Sequence, residues 1–131
     1  MSILRIILGV VLGAALGLGV VMAGDVLNHL VFPPTTLEKF VADVRAVPAH
    51  KLAALPVAYA LAAFVAAFAG AKIAARVWAG WIAGGLLTAA TFANLVMIAH
   101  PLWFTAACVV LAPTAAWLGA HLAARRAAAV A

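Results

Sequence analysis

Apolar residues come in four long runs, and the polar residues stand between them. The runs cover roughly residues 3–23, 52–74, 78–98 and 103–123. A hydrocarbon core of ~30 Å takes about 20 mainly apolar residues to cross as a helix, and each run is of that length. The pattern predicts an all-α polytopic membrane protein with four transmembrane helices, forming one domain over residues 1–131. A signal peptide is the competing reading of the first run, with Arg5 at its start and Val21-Met22-Ala23 as a small-residue cleavage site. The run is longer than the ~7–15 residues of a signal-peptide core, so the membrane-span reading is preferred.

Between the first two runs the pattern changes twice. Residues 24–34 read GDVLNHLVFPP, with an acid, an amide and an imidazole at Asp25, Asn28 and His29. If the first helix continues through them, the three-and-four spacing sets all three on one face. Pro33 and Pro34 then end it, since neither can donate a backbone hydrogen bond. Residues 35–47 follow a helical period, with Leu37, Phe40, Val41 and Val44 on one side and Glu38, Lys39, Asp43 and Arg45 on the rest. Thr35 and Glu38 have the spacing of a capping box. This stretch is expected to be a short amphipathic interfacial helix between spans one and two.

Small residues recur at four-residue spacing inside the spans. Gly9, Gly13 and Gly17 do so in span one, and Ala58, Ala62, Ala66 and Gly70 in span two. Such stripes let another helix backbone approach closely, although glycine is also simply common in membrane helices. Pro56 lies in the first turns of span two, where proline is tolerated. Pro113 falls inside span four, where it should kink the helix or leave a carbonyl free.

Composition agrees with the pattern. Apolar residues make up 69%, charged residues 8%, and mean hydropathy is +1.25. A water-soluble domain of this size carries far more polar surface. The net charge of +5 sits at span ends, which is a topology signal and excludes a nucleic-acid partner. Arg5, Lys72, Arg76, Arg125 and Arg126 fall on one side, and Lys39, Arg45 and Lys51 on the other. The positive-inside rule then puts both termini in the cytoplasm. The aromatic residues Trp78, Trp81, Trp103 and Phe104 suit the two interfacial belts.

Candidate chemistry gathers at the outer side under that orientation. Asp25, Asn28 and His29 leave span one there, Asn94 lies in the outer part of span three, and His100 sits in the outer turn. Oxygen and imidazole ligands of this kind suit a cation, a transition metal or a proton relay. The plainer alternative is hydrogen-bonded helix ends, with Asn94 bonding across helices. His50 and His121 are set aside, the latter because it falls at the opposite end beside Arg125. No catalytic set stands out: the one serine is Ser2, and Cys108 lies among apolar residues and reads as packing. No cofactor is named by any motif.

Two signatures carry a resemblance. One is Asp25, His29, Phe32, Pro33 and Pro34; the other is Asn94 followed by His100-Pro101-Leu102-Trp103-Phe104. On these the chain resembles a group of small uncharacterised bacterial inner-membrane proteins with four hydrophobic spans. Asp25, Phe32 and Ala99 stand where that group more usually has Glu, Tyr and Pro. The resemblance implies a bacterial inner-membrane location and a polar mouth, and no mechanism. Three functions remain open on the sequence. The first is binding or transport of a small solute or cation at the outer cluster, with any pore formed between subunits of a homo-oligomer. The second is a non-enzymatic accessory or scaffold subunit of a larger membrane complex, and the third a metal- or haem-binding redox subunit using His29 and His100.

Overall fold

The computed structural model describes residues 2–33 and 44–128. Among these residues every regular element is helical, and four helices are long and apolar enough to span a membrane. They are α1 (Ile3–Val31), α2 (Ala54–Ala74), α3 (Val77–Met97) and α4 (Leu102–Ala128). The spans expected from the apolar runs are all present. The largest difference is α1, which continues about two turns past its apolar run. Asp25, Asn28 and His29 are therefore helical residues, and Phe32 caps the helix by donating its N–H to the Asn28 carbonyl at 2.8 Å.

The expected interfacial helix lies mostly outside the described residues. Its final part, Val44–Ala46, is a 3-10 turn, and a single helical turn, Ala49–Leu52, leads into α2. Pro113 does not break α4. Lacking an N–H, it leaves the Val109 carbonyl without its helical partner. The next hydroxyl, Thr114 Oγ1, donates to the Val110 carbonyl at 2.7 Å.

The α2–α3 turn is closed by a left-handed cap. Ala75 takes φ 53°, and the Arg76 N–H donates back to the Ala71 carbonyl at 3.1 Å. Arg5 reaches across from α1 and donates through Nε to the Ile73 carbonyl at 2.7 Å. A cation on the last carbonyls of a helix also complements its dipole.

The helix α2 is central and touches each of the other three. Its small-residue stripe meets the stripe of α1. A Cβ built on Gly9 would fall 2.8 Å from Ala74 Cβ, on Gly13 2.6 Å from the Ala66 carbonyl oxygen, and on Gly17 2.7 Å from that of Ala62. Gly80 and Gly119 abut the Ala67 and Phe64 carbonyls just as closely. The two stripes thus pack on each other within one chain. Helix–helix contact in lipid relies on van der Waals packing at such short range, because hydrocarbon offers no hydrophobic drive for apolar faces. The core along α2 is made of alanine, with Ala62, Ala63, Ala66 and Ala67 wholly buried. Larger apolar side chains such as Leu16, Leu61, Leu86 and Val110 point outward, as suits a lipid-facing surface.

These contacts fix directions. Gly9 meets Ala74 while Gly17 meets Ala62, so α1 and α2 are antiparallel, and Gly17 also lies against Leu87 of α3. One end of the bundle carries Arg5, Lys72, Arg76 and Arg125 (the basic end). The other carries Asp25, Asn28, Asn94 and His100 (the polar end).

Candidate functional site

At the polar end the interior changes from alanine to larger side chains. Leu52, Leu55, Tyr59, Phe104 and Cys108 form a second buried cluster, with Val44 folded over it from the connecting segment. Phe104 is fully buried, stacks on the His100 ring at 4.5 Å and meets Tyr59 edge-on at 6.4 Å. Cys108 is fully buried in the same cluster, in keeping with a packing role.

The predicted site residues are divided between interior and surface. Asn28 is only 8% exposed, and apart from Gly9, Gly13 and Gly17 it is the one buried residue of α1. Asp25 is half-buried. His29 is exposed, and its Nδ1 donates to the Asp25 backbone carbonyl at 2.8 Å. The three residues of α1 therefore share a flank, but only Asn28 is directed fully inward. His100 is half-buried, and its Nδ1 donates to the Ile98 carbonyl at 2.6 Å. His50 packs edge-on against Phe32 at 5.8 Å, which ties the start of the second span to the end of α1.

Two atoms at this end have no ordinary account. Asn28 Oδ1 and Asn94 Oδ1 are both buried and have no hydrogen-bond partner among the described residues. Leaving a buried acceptor unmade costs about 1–3 kcal/mol. The buried threonines do not share the problem: Thr88 and Thr91 donate to the Gly84 and Leu87 carbonyls of their own helix at 3.0 and 2.9 Å.

The two amides are at similar depth. Both helices run toward the polar end from the contact between Gly17 and Leu87, Asn28 eleven residues on and Asn94 seven residues on. At ~1.5 Å per residue this separates them by about 6 Å in height. A pocket of about 460 Å³ at this end is lined by Arg45, Leu95, His100 and Thr105, and neither amide is part of its lining. Below this level the helices close on each other through Ala62, Ala66, Ala83 and the glycines.

The arrangement offers hydrogen-bond acceptors: two amide oxygens and the Asp25 carboxylate. Among the described residues no three His, Cys, Asp or Glu side chains converge as a metal site would require. Sequence reasoning missed Tyr59, the chain's one tyrosine, which is buried in the aromatic cluster against Phe104. It also set aside His121, which lies between two tryptophans at the basic end, 4.3 Å from the Trp117 ring and 5.7 Å from Trp81. The four-residue step from Trp117 to His121 was the available signal.

No protein-family model matches the chain, and neither a curated protein nor a solved structure matches it. What stands of the resemblance is the coarse architecture, a small bundle with four membrane-spanning helices.

Proposed function

We propose that this chain is a membrane-embedded binding protein that takes a small, hydrogen-bond-donating solute at its polar end, with a primary ammonium group as the favoured chemistry. The carrying observation is the pair of buried, unpartnered acceptors, Asn28 Oδ1 and Asn94 Oδ1. A donor at either oxygen relieves its cost, and the half-buried Asp25 one turn from Asn28 complements a positive charge there. Arg45 is exposed at the rim of the neighbouring pocket, where solvent screens its opposing charge.

The closed alanine and glycine core favours binding over conduction through a single chain. The accessory-subunit reading loses the support of the small-residue stripes, since both are occupied within the chain. The redox reading has no converging ligand set among the described residues to favour it. For orientation we favour the basic end in the cytoplasm, on the distribution of Arg5, Lys72, Arg76 and Arg125, in a bacterial inner membrane.

The test is thermal unfolding of the full chain in lipid nanodiscs. Methylammonium should raise the Tm of the wild type, and tetramethylammonium, which has no N–H, should not. An equal response to both, or to neither, rules out the donor-binding reading.

A further inference from the structure

On the flank away from α1, helices α3 and α4 leave a groove of about 630 Å³ between them. That is within the size of small-molecule sites, roughly 300–1,000 Å³. Its floor is formed by Gly85, Thr88 and Ala89, and its walls by Trp81, Phe92 and Trp117. Apart from its own helix backbone, none of the described residues comes within 4 Å of a Cβ built on Gly85, so the floor is bare. The Thr88 hydroxyl is already bonded to the Gly84 carbonyl, which leaves the slot without a polar demand of its own.

The groove has chemically distinct ends. Away from the basic end it is bounded by Phe92 and Pro113. Toward the basic end it is flanked by the tryptophans, with the His121 ring against both of them. Trp117, His121 and Arg125 follow at four-residue steps along α4, each turning about 40°, so the exposed Arg125 lies about two turns beyond the groove lining at the basic end. A single molecule lying here meets apolar walls first, then an aromatic belt, then a guanidinium.

We propose that this groove holds one acyl chain of an anionic phospholipid, with the headgroup phosphate on Arg125. The occupant follows from shape and charge. An α-helix with its side chains is about 10–12 Å across, and the raised rims of Trp81, Phe92 and Trp117 keep such a cylinder off the Gly85 floor. An acyl chain is narrow and flexible enough to enter. Basic pockets between membrane helices at the cytoplasmic side suit anionic headgroups, and an arginine fork pairs well with phosphate. The site is separate from the polar end and does not depend on the solute reading.

The test is native mass spectrometry of the full chain released from nanodiscs of equimolar phosphatidylglycerol and phosphatidylcholine with matched acyl chains. The wild type should retain one lipid per chain, with phosphatidylglycerol preferred about fivefold for one basic residue at the headgroup. Gly85→Leu fills a slot that nothing else occupies, so it should fold normally and lose the retained lipid of both kinds. Arg125→Gln should keep a lipid but lose the preference. Retention by Gly85→Leu at the wild-type level overturns the groove, and equal retention of both lipids by the wild type overturns the headgroup assignment. A wild-type dimer that Gly85→Leu dissociates overturns the lipid in favour of a second copy of the chain.

Discussion

Gly13 lies against Ala66 so closely that a Cβ on the glycine would sit 2.6 Å from the Ala66 carbonyl oxygen. The contact is backbone on backbone, so no side chain can swing away to make room. Gly13→Ala should therefore push α1 off α2 and destabilise the bundle by about 1–3 kcal/mol, the usual cost of overpacking. Gly19 is the control, since nothing lies within 4 Å of its added Cβ. Gly19→Ala should be neutral or stabilising by up to ~1 kcal/mol through helix propensity. Unfolding in mixed micelles with increasing denaturing detergent measures both.

Ala75 carries the one positive φ of a non-glycine residue among the described residues, and its N–H and that of Arg76 close the end of α2. A Cβ in the left-handed region costs roughly 1–2 kcal/mol, partly offset in a glycine variant by the larger entropy of the unfolded chain. Ala75→Gly should raise stability by about 0.5–1 kcal/mol. A lower Tm for this variant would mean that the turn is not capped in this way.

Asn28 should behave oppositely to most buried residues. Asn28→Leu removes an unpartnered acceptor and should stabilise the empty protein by about 1–3 kcal/mol. The same variant should lose the Tm response to methylammonium. A gain in stability together with a loss of binding marks a polar group retained for a ligand. A large loss of stability would instead mean that the amide is bonded within the bundle.

Orientation gives a fourth expectation. A reporter active only in the cytoplasm, fused after Ala131, should be active, and so should one placed in the turn between Lys72 and Arg76. Activity only from a reporter that requires the outer compartment would invert the assignment of the two ends.

The spans were legible in the sequence because length and hydropathy settle a membrane helix almost alone. The stripes of Gly9, Gly13 and Gly17 and of Ala62, Ala66 and Gly70 were legible as close-packing faces, but not as each other's partners. A four-residue repeat states how near a helix can come and carries no address for it. The end of α1 was harder to read. Hydropathy falls at Asp25 although the helix runs on to Val31, because hydropathy registers lipid contact and not backbone bonding. The inward aim of Asn28 and the outward one of His29 depend on which flank α2 covers, and neighbouring positions on one helix do not reveal that. The groove between α3 and α4 was not legible at all, since it takes side chains from both helices around the open position at Gly85.

The most direct measurement exploits a feature of composition. Asn28 and Asn94 are the only asparagines, and the chain has no glutamine. Their two side-chain amides are therefore the only primary amides contributed by its side chains. Uniform ¹⁵N labelling of the full chain in bilayers, followed by solid-state NMR, should give two side-chain NH₂ signals, with single Asn→Leu variants assigning each. The account predicts that both move together and saturably as methylammonium is added, with no change on adding tetramethylammonium. Two amide signals that stay fixed through the methylammonium titration would contradict a binding site built on Asn28 and Asn94.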